Sequence, residues 1–199
     1  TSLSNMNING IDFQGSLSIQ NNTGLTNFQQ DSISSIGLDY TLNNNAFTNA
    51  IIGSTGSLGR SLIITNNSGL NDVTINTIPS LGRHLQIDNN PDLTNIYIDD
   101  IQYQGGSYSL LARNNNSLTN IEINNYNIGS TFDVNTNDSL ETITINNMGR
   151  IGQIMKMDSM NSLKTINIGN IAQIGLDINA NNNPELTSFV VTGTMDTIG

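Results

Sequence analysis

The chain has no cysteine and no tryptophan, one histidine, three prolines and only six cationic side chains. Each shortage closes off a class of explanation. Without cysteine there is no disulfide framework and no thiolate, so a fold of this length must rest on a long continuous core. With His84 as the sole imidazole, a zinc site or a histidine-based catalytic triad lacks its parts. No cofactor and no metal are expected. Six Lys and Arg against sixteen Asp and Glu leave a formal net charge of −10. Nucleic acid and anionic membranes both require clustered cations, so neither is an expected partner. No apolar run approaches the roughly 18 residues of a membrane span, and direct membrane insertion is not expected.

Asparagine and isoleucine dominate instead, together making up nearly a third of the chain, while only 11% of residues are charged. They recur in register. Ser61-Leu-Ile-Ile-Thr-Asn-Asn-Ser-Gly-Leu70 matches His84-Leu-Gln-Ile-Asp-Asn-Asn-Pro-Asp-Leu93, and each is followed by an Ile-rich stretch. The second Leu anchors about nine copies, at Leu3, Leu25, Phe47, Leu70, Leu93, Leu118, Leu140, Leu163 and Leu186. The coil is 22–25 residues long. Apolar pairs precede the anchor, as Leu85 and Ile87, and follow it, as Ile96 and Ile98. Both pairs alternate with polar residues, which is the period of a strand with one buried face. A third pair, such as Ile78 and Leu81, comes before a closing Gly in most coils.

Three short apolar segments per coil, with no amphipathic helical window, predict an all-β fold: a right-handed parallel β-helix, or β-solenoid, with three short strands per coil. A single coil cannot bury its apolar face, so neighbours must stack. The coil entered at Leu38 is one residue short, so Tyr40 and Leu42 are expected to fill the inner columns. An Asn column at Asn22, Asn44, Asn67, Asn90, Asn115, Asn137 and Asn183, broken by Met160, suits a tight corner and a stacked amide ladder. Stacking should also pair Asp133 with Lys156 and Glu141 with Lys164. Residues 1–199 form one repeat domain, expected to be a fragment of a longer chain. Its partners would include neighbouring domains or other copies joined end to end.

At Leu85 to Leu93, the pattern L-x-I-x-N-N-x-x-L resembles the L domain of growth-factor receptors, a right-handed β-helix with similar Asn-Asn-Pro corners. It is also similar to the corresponding segment of leucine-rich repeats. The resemblance implies a recognition role at a cell surface.

For chemistry, the sequence offers one cluster. The spacing of 25 between Leu93 and Leu118 marks an insertion at Gln102–Gly106, around which stand Tyr97, Asp99, Asp100, Tyr103, Tyr108, Arg113 and Glu122. Insertions in solenoids often map to the binding face, and tyrosine offers flat contact area with a polar tip. These residues are the candidate binding site for a protein or carbohydrate surface. Four N-x-S/T sequons begin at Asn21, Asn66, Asn115 and Asn137, and are candidate glycosylation sites. The expected function is an extracellular or cell-surface recognition or adhesion module without enzymatic activity. The alternatives are a segment of an extracellular filament, a carbohydrate-active β-helix enzyme using Asp99 and Asp100 with Arg113, and an ice-binding protein. The last would need a regular outward Thr column, whereas that column reads Thr74, Tyr97, Glu122, Thr144, Asn167 and Val190.

Overall fold

The computed structural model describes residues 3–103, 108–193 and 197–198, with backbone alone at Tyr103, Thr197 and Ile198. In chain order the strands are β1 (Asn5–Phe13), β2 (Leu17–Gln20), β3 (Asn27–Ile36), β4 (Tyr40–Asn43), β5 (Asn49–Thr55) and β6 (Leu62–Thr65). They continue as β7 (Asp72–Leu81), β8 (Leu85–Asp88), β9 (Asn95–Tyr103), β10 (Leu110–Leu111), β11 (Asn120–Ile128) and β12 (Phe132–Asp133). The series closes with β13 (Thr142–Ile151), β14 (Ile154–Lys156), β15 (Thr165–Gly169), β16 (Ile171–Ile174), β17 (Asp177–Asn179), β18 (Ser188–Thr192) and β19 (Thr197–Ile198). No helix occurs among the described residues. The molecule is a parallel β-solenoid of about eight turns.

Each coil contributes a short strand to one sheet and a long strand to the other. The short strands stack as an eight-stranded sheet from β2 to β17, and the long ones form an eleven-stranded sheet. Pairing is parallel and column faithful, as in Leu62 with Leu85 and Val73 with Ile96. The apolar columns of the repeat therefore become continuous rows of side chains. Leu70, Leu93, Leu118, Leu140 and Leu163 are fully buried, as are Ile75, Ile98, Ile143 and Ile166 to within about 1%. β-Branched Ile suits this role because it stacks well on a pleated surface.

The three apolar segments of a coil are all present, but the second and third usually share one strand. In β7, Val73 and Ile75 point inward, Asn76 and Thr77 both point outward, and Ile78 and Leu81 point inward again. Two consecutive outward residues reset the alternation without breaking the ladder. At β15 and β16 the segments separate, around Asn170 with φ of 47°, and β18 and β19 continue that division. The closing glycines are explained by close approach. A Cβ on Gly82 would run into the carbonyl oxygen of Gly59, and one on Gly175 into that of Gly152.

The short coil behaves as its columns require. Tyr40 pairs with Leu17 and Leu62, and Leu42 with Ile19 and Ile64. Polar side chains also enter the inner rows at this coil and the one before it. Gln30 and Thr55 occupy Ile positions, fully buried, with the Thr55 hydroxyl donating to Gln30 Oε1 at 3.3 Å. Gln30 Nε2 also donates to the Ser54 carbonyl at 3.2 Å. The Tyr40 hydroxyl is buried without a hydrogen-bond partner.

The Asn-Asn corner divides two tasks that one column was expected to perform. The first residue of the pair holds the left-handed conformation: Asn21, Asn44, Asn66, Asn89 and Asn114 have φ of 54–60°. The second is extended inward as a ladder. Asn67 N–H donates to Asn90 Oδ1 at 3.0 Å, Asn90 N–H to Asn115 Oδ1 at 2.9 Å, and Asn115 N–H to Asn137 Oδ1 at 2.9 Å. Each amide nitrogen caps a carbonyl of the preceding coil, as Asn90 Nδ2 to Ile64 O at 3.0 Å. Asn44 is thus corrected. It is the left-handed residue, and Asn45 is the rung, bonded to Asn67 Oδ1 through its N–H at 2.9 Å. Of the two expected charge pairs, Lys164 and Glu141 form an ion pair at 3.1 Å. Lys156 stands in register with Asp133, but the ion pairs among the described residues are Arg60–Asp39, Arg113–Asp88 and Lys164–Glu141.

Candidate functional site

The described members of the cluster predicted around the fifth coil divide between the two sheets. Tyr97 and Glu122 are register partners on the outward face of the long-strand sheet. Asn124 Nδ2 ties Tyr97 Oη at 2.8 Å to Asp99 Oδ1 at 3.0 Å. Asp99 and Asp100 are the outward pair between inward Ile98 and Ile101, and Asp100 accepts from Gln102 Nε2 at 2.6 Å. Arg113 follows β10, an interior strand of the other sheet. It meets Asp88 at 2.8 Å through Nη2 and again through its own N–H. That hydrogen bond raises the guanidinium pKa above its ordinary value, with partial burial opposing and the charges of Asp88 and Asp133 adding to the rise. Tyr108 offers its carbonyl to Ser130 N–H at 2.8 Å. The side chain of Tyr103, and residues 104–107 of the insertion, lie outside the described residues. Arg113 is therefore engaged by Asp88, and no bond from it to Asp99 or Asp100 occurs among the described residues.

The sequons divide in the same way as the corner. Asn21 and Asn66 are exposed left-handed residues. Asn115 and Asn137 are rungs with no exposed surface, and their amides cap Ile87 O at 2.8 Å and Ala112 O at 2.7 Å. In the folded chain these two amides are buried and engaged on both atoms, which leaves no access for a glycan.

A groove that the repeat did not announce lies on the outward face of the first three long strands. It encloses about 330 Å³ and is lined by Asn5, Met6, Asn7, Thr26, Asn27, Phe28, Gln29, Thr48, Asn49 and Ile51. Outward residues of β1, β3 and β5 are brought side by side by register: Asn5 beside Asn27, then Asn7 beside Gln29 beside Ile51. The amides hold one another. Asn27 Nδ2 donates to Asn5 Oδ1 at 2.7 Å, and Asn5 Nδ2 to Ser4 Oγ at 3.2 Å. Asn7 Nδ2 donates to Asp31 Oδ2 at 3.1 Å, and Gln29 Nε2 bonds the other oxygen of the same carboxylate. This leaves the amide oxygens of Asn7, Asn27 and Gln29 without an intramolecular donor among the described residues. Ile51, 38% exposed, supplies the one accessible large aliphatic surface in the groove. A signal for it was present. The outward column begins with Asn7, Gln29 and Ile51, ahead of Thr74.

No protein-family model, no curated protein and no solved structure matches the chain.

Proposed function

We propose that the chain is a non-enzymatic recognition or adhesion module of the extracellular or cell-surface type, presenting the outward face of its long-strand sheet to a protein or carbohydrate surface. The groove across β1, β3 and β5 carries this reading. Its lining is amide, hydroxyl and aliphatic carbon, groups that bind a surface and do not shuttle protons at neutral pH. The scaffold beneath favours binding for a physical reason. Side chains on a stacked, hydrogen-bonded sheet are already ordered, so little conformational freedom remains to be lost on association. The resemblance of Leu85 to Leu93 to receptor L domains accords with the same role. So does the neutral polar surface, where amides and hydroxyls stand in place of most charges.

The test is direct. Fluorescently labelled chain is incubated with intact cells and extracellular matrix, and separately with a panel of polysaccharides assayed for new reducing ends. Saturable binding without cleavage is the expected result. Cleavage, or no binding to either surface, overturns the proposal. Concentration-dependent growth into long polymers without surface binding would favour the filament alternative.

A further inference from the structure

The groove's chemistry narrows its occupant, an inference that rests on the recognition reading above. We propose that the groove over β1, β3 and β5 binds a segment of uncharged polysaccharide, lying along the solenoid axis.

Three observations carry this. First, no charged side chain lines the groove, and the charges nearest it are carboxylates: Asp31, which holds Asn7 and Gln29, and Asp72, in register with Asn49. An anionic glycan would meet repulsion in a protein already at −10, whereas a neutral one would not. Second, the amide nitrogens are engaged within the protein while the oxygens of Asn7, Asn27 and Gln29 are not. Fixed acceptors of this kind suit hydroxyl donors, and their orientation is set before the ligand arrives. Third, equivalent side chains on neighbouring strands recur about every 4.8 Å. That repeat is comparable to the length of one sugar ring, so successive coils offer successive polar contacts to successive residues of a glycan. Ile51 gives the apolar patch that the C–H face of a sugar requires. The volume of about 330 Å³ lies at the small end of ligand sites, consistent with a short segment held in an open groove.

The probes are hexasaccharides of cellulose, xylan, mannan, starch and chitin, with oligogalacturonate and dextran sulfate as anionic counterparts, titrated calorimetrically into the 199-residue chain. At least one neutral probe should bind and both anionic ones should not. Asn27→Ala should weaken binding about tenfold, as loss of one well-placed hydrogen bond does. Ile51→Asp should abolish it, and Asn167→Ala, far along the same face, should leave it unchanged. All three positions are exposed, so the variants should fold, which their circular dichroism will check. Failure of every neutral probe, preference for an anionic one, or indifference to Asn27→Ala and Ile51→Asp overturns the proposal. A second readout separates this failure from failure of recognition itself. Cell binding lost in Ile51→Asp and abolished by periodate oxidation of the cell-surface glycans supports the glycan assignment. Binding lost in Ile51→Asp but surviving periodate overturns the glycan and leaves a protein-recognition groove. Binding indifferent to Ile51→Asp removes the groove from both.

Discussion

Asparagine lines both the buried corner and the outward groove, and the same side chain does opposite work in the two places. At the corner, Asn90 has no exposed surface, gives its amide hydrogens to the Ile64 and Asp88 carbonyls, and accepts from Asn67 N–H. In the groove, Asn27 is exposed, donates to Asn5 Oδ1 and Thr26 Oγ1, and leaves its oxygen to solvent. The first amide is consumed by the fold. The second is held in position by the fold but is not needed for it. A solenoid can therefore change its outer columns from coil to coil while keeping the corner constant, and the place to look for binding is where an amide's capacity is unspent.

The largest effect should come from testing inside against outside on a single strand. Ile166 is fully buried in β15 and its neighbour Asn167 is exposed. Ile166→Asp places a carboxylate in the apolar stack and should cost more than about 4 kcal/mol, enough to unfold the surrounding coils. Asn167→Asp should stay within about 0.5 kcal/mol of the parent. Urea denaturation followed by circular dichroism decides it, and equal midpoints for the two variants would reverse the assignment of faces.

Next in size is the contrast between the two asparagines. Asn90→Ala leaves the Asn67 N–H and the Ile64 carbonyl unpaired in a buried corner, at about 1–3 kcal/mol each. A loss of about 3 kcal/mol is expected in the same denaturation experiment, against no more than about 0.5 kcal/mol for Asn27→Ala. Chemistry can read the same division. When the chain is expressed through a glycosylating secretory pathway, peptide mass spectrometry should find glycan on Asn21 and Asn66 and none on Asn115 or Asn137. A glycan on either rung would mean that the ladder opens before modification.

The coil, its inner columns and its parallel stacking were all legible in the sequence, because every inner position is repeated about nine times and the repeats agree. The division of the Asn-Asn pair was not, since a left-handed turn and a buried ladder both favour asparagine. Only the exceptions carry the distinction: Thr136 and Ser159 take the left-handed place, with φ of 61° and 57°, beside Asn137 and Met160. The fusion of two apolar segments into one long strand was hidden for another reason. Periodicity reports which side chains turn inward, while the ladder of backbone hydrogen bonds runs on through Asn76 and Thr77. The candidate site was legible only in part, because residues close along the chain are spread around the perimeter of a coil: Tyr97 and Asp100 share β9 while Arg113 follows β10 in the other sheet, whereas Asn7, Gln29 and Ile51, 22 residues apart in sequence, are neighbours.

The smallest expected effect concerns a polar group inside the core that is unlike the rungs. Tyr40 fills a Leu position beside Leu17 and Leu62, in the same coil as the small Ala50, and its hydroxyl has no partner. A rung repays its burial through its hydrogen bonds, whereas this hydroxyl does not. Tyr40→Phe keeps the ring and removes the unpaired group, and should raise stability by about 1 kcal/mol near neutral pH. Burial also drives the phenol pKa above its ordinary 10.0 in the folded chain. The consequence for pH has a definite sign. Below the ordinary value both states keep the proton, so Tyr40 adds nothing to the pH dependence. Above it the unfolded chain ionises first and binds fewer protons than the folded one, so stability falls as pH rises. Removing the phenol removes that contribution, and the advantage of Tyr40→Phe should widen between neutral pH and a pH of about 11. Tyr126, also raised by burial, remains in both proteins, so the variant's own stability should still decline over that range, less steeply. Urea midpoints across this range give the answer. A Phe variant less stable than the parent at neutral pH would show that the hydroxyl stabilises the coil, placing Tyr40 with the rungs.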